Sequence, residues 1–203
     1  MIRLYDSTYS QNGYKIRLLL SHLGQPFEYI DVDIVHGASR TPEFMAKTVA
    51  GRIPLLELED GTFLPESGAI LAYLADGSAY FPADRTARAH ILRWMFFEQN
   101  FIECNIGPFI GWQKNGRDKS MPETFAFKVS VMKEALEVLN RHLEHHDWLA
   151  TDAFTIADIA NYGYIHQAAP NGFDMAAYPA VSAWLARVAA LPPHVPTTWG
   201  AHG

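Results

Sequence analysis

Pro54 and the pair Glu66-Ser67 are the residues whose types and positions most suggest ligand chemistry. Pro54 opens the strand-like run "PLLELE". Proline donates no hydrogen bond to a neighbouring strand, so it belongs at the first residue of a strand or at an edge. The simplest interpretation is that Pro54 starts the strand. If the Ile53–Pro54 peptide is cis, the backbone N–H and C=O of Ile53 can turn outward and pair with a ligand.

Glu66 and Ser67 stand where the pattern changes from strand to helix. A helix N-terminus carries unpaired N–H groups and the positive end of the helix dipole, so it binds carboxylates. The acid Glu66 beside it can hold an ammonium. A carboxylate and an ammonium on one carbon form the end of an amino acid, so the pair predicts a site for such a group. The alternative is an N-cap serine that follows a surface acid.

Other reactive side chains give weaker signals. His142 and His146 share a helix face at a spacing of four, but no third ligand accompanies them, so no metal site is predicted. Cys104, the only cysteine, falls inside an apolar helical stretch, where we expect a small buried side chain. With no disulfide partner it favours a reducing compartment, and we expect a cytoplasmic protein.

Strands and a helix alternate in the first part of the chain and would position these residues. Residues 2–5 read as a buried strand, residues 16–23 repeat apolar side chains at helical spacing, and "PFEYIDVD" alternates as a second strand. This order implies a right-handed crossover with parallel pairing. The stretch "PLLELEDGTFL" is predicted to be a hairpin with a two-residue turn at Asp60-Gly61, after which Ser67 caps the next helix.

The second part of the chain contains no convincing strand. Its apolar stretches predict a series of helices, the first bent near Gly107-Pro108 and a later one opened by a capping box of Thr155 and Asp158. Asp, Gly, Ser and Pro cluster in "DGSAYFPADR", residues 76–85, and this cluster predicts the boundary between two domains. We therefore predict an α/β domain over residues 1–76, a linker over 77–85 and an all-helical domain over 86–203.

The composition argues against several classes of partner. Of the 203 residues, 49% are hydrophobic and 19% are charged, the net charge is -6, and no run of Lys or Arg forms a stripe. Nucleic acid and anionic membranes are therefore not expected as partners. No apolar stretch is long enough to span a bilayer, and "MIRLYDSTYS" lacks the apolar region of a secretory signal.

Four stretches, in order, resemble the glutathione S-transferase family over essentially the whole chain. The stretch "GRIPLLELEDGTFLPESGAILAYLA" looks like the family's glutathione-binding core, and "LYDSTYSQNGYKIRLLLSHLGQPFEYIDVD" is similar to its opening strand-helix-strand. "HDWLATDAFTIADIANY" matches the helical-domain signature, and "YPAVSAWLARVAALP" resembles the penultimate helix. The resemblance implies a thioredoxin-like N-terminal domain with βαβ-ββα order and an all-helical C-terminal domain.

The reaction that the resemblance implies is attack by the glutathione thiolate on an electrophile. A free thiol has a pKa of about 8.5, so a nearby donor must stabilise the thiolate. The family takes this donor from the loop after the first strand, which holds no cysteine here; the chain therefore resembles bacterial cytosolic members of the serine/asparagine type. The resemblance points to Ser10 as the catalytic hydroxyl and to Asn12 as a second donor, with Tyr9 as the alternative hydroxyl; an ordinary loop or N-cap role is the alternative for both Ser10 and Asn12.

The resemblance also assigns residues to the glutathione backbone: Ile53, Pro54, Glu66 and Ser67, with the Ile53–Pro54 bond cis, and Arg40 and Arg52 for the glycine carboxylate. A solvated surface role is the alternative for both arginines.

Aromatic residues of the helical part, namely Phe101, Phe109 and Trp112, would wall a pocket for the second substrate, although the helical core or a dimer interface is the simpler role for any one of them. Glu98 or Glu103 would reach the glutathione of a partner subunit, a surface position being the alternative.

Together these features predict a glutathione transferase that conjugates glutathione to small apolar electrophiles, with glutathione as co-substrate and no metal or other cofactor. A glutathione-dependent disulfide or peroxide reductase is the second enzyme hypothesis, and a non-catalytic glutathione-fold binding module is the third. The strongly apolar stretch "WMFFEQNFIECNIGPFIGW" predicts a homodimer.

Overall fold

The computed structural model describes residues 1–200, which form two compact units. The first unit comprises residues 1–76 together with the segment that begins at Pro192, and the second unit is Gly77–Leu191.

The first unit is built on a four-stranded mixed sheet in the order β2-β1-β3-β4. Its strands are β1 (Arg3–Asp6), β2 (Glu28–Asp31), β3 (Leu55–Glu57) and β4 (Phe63–Pro65). β1 pairs parallel with β2, as predicted for a crossover through a helix, and antiparallel with β3, which pairs antiparallel with β4. The helices are α1 (Gln11–Leu23), α2 (Pro42–Met45) and α3 (Ser67–Ala75). The expected thioredoxin-like arrangement is confirmed.

The connection between β3 and β4 is longer than the predicted two-residue turn. β3 ends at Glu57 and β4 begins at Phe63, and Leu58 N–H donates to the carbonyl of Thr62 at 2.8 Å. Asp60 Oδ1 accepts from Thr62 N–H at 2.9 Å, so the Asp side chain closes the loop locally.

Helix α1 has a defined beginning and end. Ser10 is its N-cap, with Oγ accepting from Gly13 N–H at 3.0 Å, and Gly24 ends it in the left-handed conformation. Ile16, Leu19 and Leu20 are completely buried, so this helix supplies much of the core of the first unit.

The last described residues pack on α1 and belong to the first unit, whereas the sequence placed them with the helical domain. Tyr14 Oη donates to the carbonyl of Val195 at 2.8 Å, and Arg17 Nη1 donates to the carbonyl of Trp199 at 3.0 Å. The ring of Trp199 lies 5.6 Å from that of Phe27. After the last helix these carbonyls have no helical partner, and α1 supplies their donors.

The second unit is all-helical among the described residues, as expected. It consists of α4 (Arg85–Phe97), a π-helical segment (Glu98–Glu103), α5 (Cys104–Asn115), α6 (Arg117–Ser120), α7 (Pro122–Leu143), α8 (Ile156–Ile165) and α9 (Pro179–Ala189). None of the helices within residues 1–200 combines the length and the hydropathy needed to cross a membrane.

The irregularity expected near Gly107-Pro108 lies earlier, in the π-helical segment Glu98–Glu103. Pro108 is accommodated inside α5. It has no N–H for the carbonyl of Cys104, four residues earlier, and Lys128 Nζ donates to that carbonyl at 2.9 Å instead. The lost helical hydrogen bond is thus replaced by one from α7.

The predicted capping box at α8 is confirmed. Thr155 Oγ1 accepts from Ala157 N–H at 3.3 Å, and Asp158 Oδ2 accepts from Thr155 N–H at 3.0 Å. Asp158 Oδ1 also accepts from Leu149 N–H at 3.0 Å and from Trp184 Nε1 at 3.1 Å. This buried carboxylate therefore joins α8, the loop before it and α9.

Candidate active site

The strand register brings the sequence-predicted residues of the first unit to one edge of its sheet. Tyr5 of β1 pairs with Leu55 of β3, and Leu55 pairs with Pro65 of β4. The loop that leads to Ser10 leaves β1 at this level, Pro54 immediately precedes β3, and Glu66 immediately follows β4. Three predicted elements of the site therefore lie side by side.

Ser10 lies where this edge meets α1. Its Oγ accepts from Gly13 N–H, and its own N–H donates to the carbonyl of Ser7 at 2.8 Å. With a lone pair occupied by Gly13, the hydroxyl proton of Ser10 is the group it can offer to an anion at the N-terminus of the helix.

Asn12 connects the first turn of α1 to the first turn of α3. Ser67 Oγ donates to Asn12 Oδ1 at 3.2 Å, and Lys15 Nζ donates to the same oxygen at 2.7 Å. The structure thus brings two predicted site residues into contact, although they are 55 positions apart. Lys15 is a participant that the sequence analysis did not identify; the Lys of the "S-x-N-x-x-K" spacing was the available signal.

Ser67 is the first residue of α3 and not its cap, which corrects the expected N-cap role. Glu66 is the N-cap, with φ 74° and ψ 115°, and its side chain makes no capping hydrogen bond. Among the described residues other than glycine, Glu66 alone has a positive φ. The first helical hydrogen bond runs from Ile70 N–H to the carbonyl of Glu66 at 2.9 Å, so the three preceding N–H groups have no partner within the helix. The helix end can bind a carboxylate, and the exposed Glu66 lies beside it.

Ile53 and Pro54 lie just before β3, and the peptide between them is cis, as expected. Arg40 Nη1 donates to the carbonyl of Ala50 at 2.9 Å, in the loop that leads to Ile53. Arg52 is exposed. Both arginines thus lie in or against the segment that precedes Pro54.

Two tyrosines near the loop are less suited than Ser10 to stabilise a thiolate. Tyr5 Oη donates to Glu57 Oε2 at 2.7 Å, and burial together with this bond raises the pKa of Tyr5 to about 12, so it is a structural phenol of the strand. Tyr9 is 77% exposed. A hydroxyl so open to water stabilises a thiolate less than one held at the helix end.

The three aromatic residues expected around a second-substrate pocket have different surroundings within the helical unit. Phe109 is buried between Phe125 at 6.0 Å and Phe173 at 5.6 Å, as a core residue is. Phe101 is 45% exposed and packs on another ring of the unit. Trp112 has Arg117 and Lys128 over its ring. Phe101 has the most accessible ring of the three, and the pocket stays a prediction.

The π-helical segment and the residue after it depart from the sequence expectations. Glu98 is 1% exposed, so the surface alternative for it was wrong; Gln99 Nε2 donates to Glu98 Oε2 at 3.2 Å and to Glu103 Oε2 at 2.7 Å. Cys104 was expected to be buried inside a helix, and it is an exposed free cysteine at the start of α5.

No group of three side chains able to hold a metal occurs among the described residues. His142 and His146 stack face to face with centroids 4.1 Å apart, and His146 Nδ1 lies 2.9 Å from the carbonyl of His142. The ring stack and this contact therefore lie at the C-terminal end of α7.

Comparisons with known proteins agree with the geometry. Residues 4–79 match the N-terminal domain of glutathione S-transferases, and residues 106–192 match the C-terminal domain. The chain is 32% identical over 203 residues to the disulfide-bond oxidoreductase YfcG of Escherichia coli, covering 95% of this chain and 92% of that protein.

Solved structures extend the comparison. A glutathione S-transferase from Pseudomonas fluorescens Pf-5 is 41% identical with a TM-score of 0.93, over 97% of this chain and 98% of that one. A glutathione transferase family member from the same organism, crystallised with two glutathione molecules, is 29% identical with a TM-score of 0.83, over 94% and 89% of the two chains. The two matched domains, and relatives that cover nearly the whole chain, show that this protein is an enzyme of the glutathione S-transferase family.

Proposed function

We propose that the first unit binds glutathione along the sheet edge formed by Ser10, Ile53 and Glu66, and that the enzyme transfers its thiolate to small apolar electrophiles. The contact between Asn12 and Ser67 carries the proposal, because it joins the end that would hold the thiol to the end that would hold the amino acid.

Each part of the tripeptide is assigned to groups of complementary charge or hydrogen-bonding ability. The N–H groups at the start of α3 receive the γ-glutamyl carboxylate, and Glu66 receives its ammonium. The backbone of Ile53, preceding Pro54, pairs with the peptide of the cysteine. Arg40 and Arg52 lie at the segment that would face the glycine carboxylate.

The sulfur then lies at the N-terminus of α1. The Ser10 hydroxyl and the Asn12 amide donate to it, and the helix dipole favours its negative charge. In the transfer, the thiol loses its proton to solvent, the thiolate forms a C–S bond with the electrophilic carbon, and the leaving group departs with the electron pair of the bond that breaks. No metal or other cofactor takes part in this scheme.

Calorimetric titration with glutathione tests the binding half of the proposal. Glu66→Gln is expected to weaken binding by about tenfold or more, because it removes the charge that faces the ammonium, and Ser67→Ala is expected to weaken it because it removes the hydroxyl that joins the start of α3 to Asn12. Glu59→Gln is the matched control, since Glu59 is also an exposed acid of the first unit. Equal affinity in all four proteins, wild type included, would overturn the assignment.

Disulfide exchange is a second candidate, favoured by the relative that is named a disulfide-bond oxidoreductase. In this reaction the thiolate attacks one sulfur of a disulfide, the S–S bond breaks, and the other sulfur leaves as a thiolate. The thiolate of a second glutathione then attacks the glutathione sulfur of the mixed disulfide, the S–S bond breaks, oxidised glutathione forms, and the remaining sulfur leaves as a thiolate. A transferase is expected to turn over 1-chloro-2,4-dinitrobenzene faster, and a disulfide-exchange enzyme is expected to turn over 2-hydroxyethyl disulfide faster. The rates with these two substrates therefore separate the two candidates.

A homodimer remains our proposal for the assembly. The helical unit leaves Phe96 at 61% and Phe127 at 66% exposure, which is apolar surface that a second copy can cover. Light scattering at micromolar concentration is expected to give twice the mass of the chain, and a monomer mass would contradict the proposal.

We also propose a cytoplasmic location, supported by the exposed and unpaired Cys104. A single accessible thiol is compatible with a reducing compartment. Fractionation of cells that produce the protein tests this.

A further inference from the structure

Lys15 is the buried charged residue at the candidate site for which the proposed scheme has no role. It lies in the second turn of α1, is 1% exposed, and its Nζ donates to Asn12 Oδ1 at 2.7 Å. Lysine is seldom buried to this degree without a specific purpose.

This contact determines which way the Asn12 carboxamide is turned. A carboxamide has an oxygen that only accepts and a nitrogen that only donates, and an ammonium has only donors. The Asn12 atom that faces Lys15 is therefore the oxygen. Ser67 Oγ donates to the same oxygen at 3.2 Å, so two donors converge on it. The Nδ2 group consequently lies on the opposite side of the carboxamide.

We propose that Lys15 is a positioning residue for thiolate stabilisation: it holds the Asn12 carboxamide so that its N–H group, and not its oxygen, faces the sulfur of bound glutathione. The proposal rests on the glutathione site proposed above. It assigns Lys15 to the reaction through Asn12, while Asn12 is the group that touches the substrate.

The physical consequence follows from the chemistry of the two faces of an amide. A carboxamide oxygen turned to the sulfur repels a thiolate, whereas the N–H group donates a hydrogen bond to it. Without Lys15 the amide can rotate by half a turn, and a donor is exchanged for an acceptor. Direct attraction between the ammonium and the thiolate is the competing explanation, and it would not need Asn12.

The test is the pKa of the thiol of bound glutathione, measured by the ultraviolet absorbance of the thiolate against pH. Lys15→Met is expected to raise this pKa by about one pH unit, which is about tenfold less thiolate at a pH below it. Asn12→Asp, which keeps an acceptor for Lys15 and Ser67 but has no N–H, is expected to raise it at least as much. Lys47→Met, which removes a charge from the same unit without a contact to Asn12, is the matched control with no change expected.

A double-mutant cycle separates positioning from direct charge. In an Asn12→Ala background, Lys15→Met is expected to produce no further change in the thiol pKa. An equal change in both backgrounds would overturn the proposal in favour of direct charge. An unchanged pKa in Asn12→Asp would also overturn it, and this result is available even if Lys15→Met does not fold.

Binding of S-methylglutathione, which carries no thiol, distinguishes this inference from the site on which it rests. Lys15→Met is expected to bind it within about twofold of the wild type, since the tripeptide contacts remain. If wild type itself does not bind S-methylglutathione or glutathione, the proposed site fails and this inference fails with it. If binding persists and the thiol pKa is unaffected, the site stands and the role of Lys15 is wrong.

Discussion

Asp6 and Arg17 form a completely buried ion pair, with Arg17 Nε donating to Asp6 Oδ2 at 2.9 Å. Asp6 ends β1 just before the loop that carries Ser10, and Arg17 lies on α1 just after it. Arg17 also donates to the carbonyls of Thr197 and Trp199, so the pair fixes the last described residues as well. Burial raises the pKa of Asp6 to about 6, although Arg17 acts in the opposite direction. The loop that carries Ser10, between β1 and α1, is thus held at both ends by one buried ion pair.

Gly13→Ala is expected to be strongly destabilising. A Cβ atom at Gly13 would lie 1.7 Å from Asp6 Oδ1, and that carboxylate is buried and paired, so it has nowhere to move. We expect a loss of about 3 kcal/mol or more in the free energy of unfolding, measured by urea denaturation.

Gly111→Ala is the matched control for this substitution. Gly111 is also inside a helix, α5, and a Cβ there meets nothing within 4 Å. A change between zero and a gain of about 1 kcal/mol is expected from helix propensity. Equal effects at the two glycines would show that the close approach of α1 to Asp6 is wrong.

The sequence predicted the fold where local patterns were strong. The capping box of Thr155 and Asp158, the strand-helix-strand order and the helices of the second unit all follow from spacing and caps. Cys104 was misplaced because the prediction rested on the usual burial of a free cysteine in an apolar helix and did not include the π-helical segment just before it, which changes the angular phase of the helix. Such a change of phase depends on packing and leaves no simple sequence pattern.

The sequence identified individual residues of the candidate site but not the contacts between them. Glu66-Ser67 and Pro54 were recognisable because strand ends and helix starts have characteristic residues. The positive φ of Glu66 was not predictable, because residues other than glycine seldom adopt it. The burial of Lys15 was not predictable either, since lysine is usually exposed and its partner Asn12 is identified only by the structure.

Asp158→Asn is expected to destabilise the protein by about 2–4 kcal/mol, because it places an amide N–H against buried donors that now pair with a carboxylate. The donors at stake are Leu149 N–H, Thr155 N–H and Trp184 Nε1. Asp152→Asn, at an exposed position of the preceding loop, is expected to change the free energy of unfolding by less than about 0.5 kcal/mol. A similar midpoint in urea for the two variants would contradict the structural role of Asp158.

His142 is expected to make the stability of the fold fall on the acid side of neutrality. Burial, and then the stacked His146, lower the pKa of His142 below its ordinary value. The unfolded chain therefore binds a proton at a higher pH than the folded chain does, so the contribution of His142 is present above its ordinary pKa near 6.5 and is lost as the pH falls through the folded value.

Urea unfolding between pH 5 and 8 measures this contribution. Wild type is expected to lose more stability on acidification than His142→Gln, while His145→Gln, at an exposed neighbour, is expected to follow wild type. Identical pH dependence of wild type and His142→Gln would show that His142 takes up its proton equally easily in both states.

Glu66 is expected to show a conflict between stability and binding, because its backbone conformation is strained and its side chain faces the proposed ammonium. A positive φ at a residue other than glycine costs about 1–3 kcal/mol, and glycine adopts it freely. Glu66→Gly is therefore expected to raise the free energy of unfolding by about 1 kcal/mol after the added flexibility of the unfolded chain is subtracted. Glu66→Ala keeps the strain and is expected to stay within about 0.5 kcal/mol of wild type. Both variants are expected to bind glutathione about tenfold or more weakly.

Urea denaturation and calorimetric titration of wild type and these two variants measure the free energy of unfolding and the affinity for glutathione. If Glu66→Gly is no more stable than Glu66→Ala, the strain at this helix start is absent; if either variant binds as wild type does, Glu66 does not hold the ammonium.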